Sequence, residues 1–207
     1  PLGTTGPGAA PDSLFRFLFQ MQGIDPDRDA ELVTIQGGGP AMLAAVEQRV
    51  IDGFCLSSPT SDVSNANFGT AYLFNMATNP PPELESYFYI CCAVSDEGLA
   101  TRRAELVGYV KGIALALRAI NDDPDVFRAW SREWFDDLDD ELFDVAFVNN
   151  AGIYTTDPVP TEQHFELNRQ FVDIGLVSVG QDPLPAGFSF ADAYDPSIAQ
   201  EAMDSLG

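Results

Sequence analysis

Few residues in this chain carry the side chains that chemistry needs. It has one histidine, His164, one lysine, Lys111, and three cysteines, Cys55, Cys91 and Cys92. A catalytic nucleophile requires a neighbouring base that a third group orients. His164 stands among Gln163 and Glu166, with no Ser or Cys placed to form a readable triad, and it reads as a surface residue of a helix. The cysteines have no metal-ligand spacing and make no disulfide framework. All three lie in apolar, strand-like runs, which predicts buried free thiols. Adjacent Cys91 and Cys92 would point to opposite faces of a strand, so only one of them could face Cys55.

Longer patterns fare no better as catalysts. The stretch DDLDDELFD, residues 136–144, is rich in carboxylates. A calcium loop wants oxygen ligands at alternating positions and a glycine at its sixth, but the sixth residue from Asp137 is Leu142. A negatively charged helix start that complements the dipole explains the run. VNNAGIY, residues 148–154, contains the Asn-Asn-Ala-Gly of short-chain dehydrogenases. Those enzymes also need Tyr-x-x-x-Lys, and four residues before Lys111 stands Val107, so a frayed helix end at Gly152 explains the motif. A dinucleotide fingerprint starting at Gly37 would need glycine where Met42 stands, and an acid where Ser57 and Ser58 end the next strand. GTTGPG, residues 3–8, lacks the lysine of a phosphate loop. Trp130, Trp134 and Phe135 fall at helical spacing, which predicts core in preference to a ligand cage. No catalytic residue, metal ligand or cofactor is expected.

Two similar corners survive. TTGPGAAPDS precedes one helical pattern and QGGGPAM precedes the next. Helix N-termini there offer unpaired N–H groups and a partial positive charge. Glycine lets a ligand approach the backbone closely. SSPT, residues 57–60, adds hydroxyls at the end of the neighbouring strand. Ligands of open α/β sheets bind at that edge. The competing reading is that Gly37–Gly39 simply make a tight turn.

The elements that must position these corners alternate in the first half. Pro11–Gln22 reads as a helix with Leu14, Phe15, Leu18 and Phe19 inward and Gly23 as its stop. Glu31–Ile35 reads as a strand and Pro40–Val50 as a helix with Met42, Leu43, Val46 and Val50 inward. Gly53–Leu56 is a second buried strand, Ser61–Asn67 a short helix and Ala71–Asn75 a third strand. Such alternation implies a mostly parallel sheet covered on both faces. TNPPPELES, residues 78–86, reads as a linker, and YFYICCAV, residues 87–94, as the most strand-like run. Helices follow at about 101–121, 124–134, 139–150 and 161–174, then a loop-rich tail.

Composition narrows the partners. The 207 residues carry Lys+Arg 10 against Asp+Glu 32, a formal net charge of −22. Phosphate contacts need clustered Lys and Arg, so nucleic acid and anionic membrane surfaces are poor partners. No stretch approaches the ~20 apolar residues of a membrane span. Pro1-Leu2-Gly3 has neither the basic start nor the apolar run of a signal peptide, as expected of a mature or truncated chain.

From Gly3 to Asp62 the chain resembles the second lobe of the nitrate/sulfonate/taurine-type solute-binding proteins of ABC importers. The resemblance is carried by the turn at Gly3–Asp12, Gly23–Pro26, the corner Gly37–Pro40, Ala44–Val46, Ile51–Gly53 and Ser57–Pro59. ALRAINDDPD, residues 116–125, resembles a helix end of that family after its return to the first lobe. The resemblance implies an α/β, type II periplasmic-binding-like fold. Residues 1–86 would be the second lobe and 87–207 the returning helical part of a first lobe that lacks its opening strands. It implies a small organic ligand, a sulfonate, carboxylate or pyrimidine-like molecule, held by Thr4, Thr5, Gly6, Ser13, Gly37, Gly38, Gly39, Ser57 and Ser58. It further implies an ABC permease partner, a periplasmic or extracellular location, and a second chain or swapped copy that completes lobe one. A thiamine-pyrimidine-precursor synthase and the effector domain of a transcription regulator share the fold and are the alternatives. The first lacks its longer cysteine run here, and the second its helix-turn-helix.

Overall fold

The structure, a computed structural model, describes residues 1–85 and 87–207. Three short strands, β1 (Leu2–Thr4), β2 (Leu32–Thr34) and β3 (Gly53–Phe54), form a parallel sheet in the order β2-β1-β3. Leu2 and Thr4 lie opposite Leu32 and Thr34, while Gly3 lies opposite Phe54. β1 is the centre of this sheet, and the sequence reading did not name it. Three residues are too few to show a period.

Helix α1 (Ala10–Met21) links β1 to β2, and α2 (Gly38–Glu47) links β2 to β3. Pro11 lies in the first turn of α1, where its missing N–H costs nothing. Gly23 ends α1 in the left-handed region at φ 70°, and the N–H of Ile24 donates back to the Phe19 carbonyl. The strand period of two divides the core. Phe54 and Leu56 join Met42, Ala45 and Ile51 beneath α2. Cys55, between them, joins Leu14, Phe17, Leu167 and Phe171 on the opposite face. A Cβ on Gly3 would sit 2.6 Å from Met42 Sδ and 2.7 Å from Ile51 Cδ1, so both side-chain ends would have to shift to admit one.

Helix α3 (Thr60–Phe68) follows β3. The regular elements after residue 95 are helices: α4 (Asp96–Thr101), α5 (Arg103–Asp122), α6 (Pro124–Trp134), α7 (Asp140–Asn150), α8 (Glu162–Ser178), α9 (Phe190–Ala193) and α10 (Ser197–Asp204). Asp139 caps α7 by accepting the Leu142 N–H at 2.8 Å, so the acidic run at 136–144 is a helix start. Thr161 and His164 cap the start of α8 reciprocally, and His164 stacks on Phe88 at 4.9 Å. No helix among the described residues is long and apolar enough to cross a membrane.

Several expectations are corrected. Residues 71–75 form no ladder; an isolated antiparallel bridge joins Asn75 to Asn79. Residues 87–94 form no strand, the Phe88 backbone is bonded to the Asn168 side chain, and Cys91 and Cys92 are exposed. A strand exists only through its neighbour, and the described sheet contains only β1, β2 and β3. Cys55 is sheltered, and burial pushes its thiol pKa up to about 11. Trp130 and Trp134 are 55% and 68% exposed and tilt against each other with ring centroids 5.8 Å apart, so they are not core. Val50 points outward, and Phe17 takes the central place in α1. The boundary expected at 86 falls on Ser86, which lies outside the described residues.

Candidate ligand-binding edge

Parallel strands put every strand-to-helix loop at one edge. Residues 5–9, 35–37 and 55–59 therefore leave the sheet on the same side. The sequence fixes their shape with glycines in the left-handed region: Gly6 at φ 141°, Gly37 at φ 106° and Gly38 at φ 67°. The corners also touch. A Cβ on Gly39 would lie 2.4 Å from Thr60 Oγ1, so the start of α2 packs directly on the start of α3. Gly6 lies beside Thr34, 3.9 Å from a Cβ built on it. The Ile35 N–H donates to the Thr4 carbonyl at 2.9 Å and carries the pairing past the last ladder residue.

The nine residues named from the sequence are distributed unevenly. Thr5, Gly37, Gly38 and Ser57 are exposed, and Gly6, Gly39 and Ser58 are half-buried. Thr4 and Ser13 are enclosed. Ser13 Oγ lies 3.0 Å from a Cβ built on Gly175, which turns Ser13 toward α8. Gly8, in the same corner, packs against Gly175 and Val179 at the end of α8.

Sequence reasoning missed two buried carboxylates. Asp12, in the first turn of α1, accepts the Gly8 N–H and the Arg16 Nε, each at 3.0 Å. Arg16 Nη1 reaches Asp27 at 2.7 Å. Asp62, in the first turn of α3, accepts the Ser58 hydroxyl at 2.5 Å, the Tyr72 hydroxyl at 2.6 Å and the Asn149 Nδ2 at 2.7 Å. Burial first, and then the Asp62 carboxylate, push the Tyr72 phenol pKa up, so Tyr72 remains a donor. The signal was present in both helix starts, where an acid follows the corner proline closely: Pro11-Asp12 and Pro59-Thr60-Ser61-Asp62. Two grooves lie nearby, one lined by the Asp12 partner Arg16 and one by Asp62 itself. One of about 280 Å³ lies between α1 and α8 beside Arg16 and Asp173, and one of about 300 Å³ lies between α3 and α7 beside Asp62 and Glu141.

The N-terminal part that carries this edge is also the part that matches known sequences. A family model described as the NMT1-like family matches residues 1–126 of the 207. No curated protein and no solved structure matches the chain. The match begins before β1, takes in every corner described above, and runs through α5 into α6. The chain belongs to the NMT1-like family.

Proposed function

We propose that the chain acts in solute binding, as part of the binding component of an ABC importer that delivers a small organic molecule. The observation that carries this reading is the meeting of the Gly37–Gly39 corner with Thr60 beside Ser57 and Ser58 at the open edge of a parallel sheet. Family membership supports it. In this reading residues 1–86 are the second lobe of a type II periplasmic-binding fold and 87–207 the helical return of the first. The bound molecule lies against Thr5, Gly6, Gly37, Gly38, Gly39, Ser57 and Ser58, and closure of the lobes selects the bound form. The α2 N-terminus has no acid in its first turn, which leaves its N–H groups for a ligand. The function needs no catalytic group. It places the protein in the periplasm or outside the cell, with a permease as partner.

Gly38→Val tests the corner. No atom lies within 4 Å of a Cβ built on Gly38, so the first added carbon has room. Its cost is backbone strain at φ 67°, about 1–3 kcal/mol. Binding should fall further than folding does, because the strain moves the N–H groups that face the ligand. Titration calorimetry against taurine, nitrate, sulfate and a hydroxymethylpyrimidine, with urea unfolding as control, measures both. Binding that survives Gly38→Val with full affinity counts against the corner.

The apolar run after the proline-rich segment belongs to the same reading. Ile90 and Tyr89 are 78% and 61% exposed in a run without regular structure. Adjacent exposed apolar side chains of this kind invite a covering partner. A second chain or swapped copy completing lobe one would cover it. Sedimentation should show association, weakened by Ile90→Asp. A stable monomer of 22.4 kDa at all concentrations removes this part of the proposal.

A further inference from the structure

Donors and acceptors are not shared evenly along the proposed edge. Asp62 is 1% exposed and its three partners all give protons to it. A carboxylate has acceptors only, so the Ser58 hydroxyl spends its one proton on Asp62 Oδ2. What Ser58 still offers is a lone pair. The first corner repeats the device, since the Gly8 N–H is already taken by Asp12 Oδ2. Two of the three helix starts at this edge therefore carry their own buried carboxylate, and only α2 does not. The nearby cation is also committed, because Arg16 pairs with Asp12 and Asp27.

We propose that Asp62 sets the ligand specificity of this edge by fixing the Ser58 proton, so that the bound molecule must present a hydrogen-bond donor, N–H or O–H, to Ser58. The fitting class is an amine, amide, amidine, amino-substituted heterocycle or hydroxyl compound. A group with acceptors alone, such as a carboxylate or sulfate, meets a lone pair backed by a buried negative charge. The inference rests on the ligand-binding reading above, and Asp62 acts in it as a positioning residue for Ser58.

The test is a matched set of probes that differ only in their head group: benzamidine, benzamide and benzoate. Binding is followed by the NMR shifts of the Gly37–Gly39 and Ser57–Ser58 amides. About 0.5 M salt shortens the reach of the chain's overall charge to a few ångströms. Benzamidine should bind most tightly and benzoate least, with a ratio of about tenfold or more, the size of one mismatched hydrogen bond. Asp62→Asn supplies an amide N–H to Ser58 and turns its proton outward, so the ratio should collapse by about tenfold. Ser58→Ala, a milder change, should weaken benzamidine and relieve the clash of lone pairs with benzoate, so the ratio should fall. Benzoate binding tightest, or a ratio that neither variant alters, overturns the inference while leaving ligand binding intact. No shift at these amides with any probe removes the binding reading and the inference together.

Discussion

Phe171→Ala should lower the unfolding free energy by about 3–5 kcal/mol, the usual cost of deleting a buried aromatic ring. Phe171 is 5% exposed on α8. Its ring stacks on Phe17 of α1 at 4.7 Å and meets Tyr87 at 4.5 Å. Leu14, Leu84 and Leu167 close the rest of the cluster. This cluster holds the β1–α1 side of the sheet to α8. Without the ring, α1 and α8 face a cavity that their own stacking prevents from collapsing. A domain's whole stability is about 5–15 kcal/mol, so the loss should be visible as a large drop in the urea midpoint. Phe171→Leu keeps most of the volume and should cost roughly 1.5 kcal/mol or less. Trp130→Ala, on an exposed face, should stay within about 0.5 kcal/mol. A Phe171→Ala loss as small as that of Trp130→Ala would mean that α1 and α8 are not joined through these rings.

The sequence made the helix frame and the corners readable, for local reasons. Pro11, Gly23, Gly37 and Pro124 punctuate the chain, and their φ preferences act within a residue or two. The helix expected at 124–134 is α6 without change, and the one expected at 139–150 begins one residue later. The family resemblance rested on the same local corner motifs, and the family match covers them all. Long-range pairing was not readable. Cys91 and Cys92 have the composition of a buried strand but no described strand to pair with. Trp130 and Trp134 have helical spacing, yet no described element covers their face. Asp12 and Asp62 look in sequence like ordinary acids of a first helical turn. Their burial depends on partners far along the chain: Asn149 is 87 residues from Asp62, and the corner beside Asp12 packs on Gly175.

Those partners make Asp12 costly to remove. Asp12 is 2% exposed, and Arg16, its ion-pair partner, keeps 13% of its side chain in solvent. Breaking such a pair from one side strands the other charge, typically at about 3–5 kcal/mol. Arg16 retains Asp27, whose side chain is largely exposed, so the stranding is incomplete and the lower end applies. Asp12→Ala should therefore cost about 3 kcal/mol. Part of that is the Gly8 N–H, which loses its acceptor in a loop already held at φ 74°. Asp12→Asn keeps an oxygen for Gly8 and loses only the charge, so it should fall between wild type and Asp12→Ala. Arg16→Ala leaves the Asp12 carboxylate enclosed with the Gly8 N–H alone and should cost at least as much as Asp12→Ala. The two changes together should cost less than their sum, with a coupling of roughly 0.5–3 kcal/mol in urea unfolding. Strict additivity would show that the pair is independent. The first corner would then owe its shape to Gly6 and Gly8 alone and not to the carboxylate behind it.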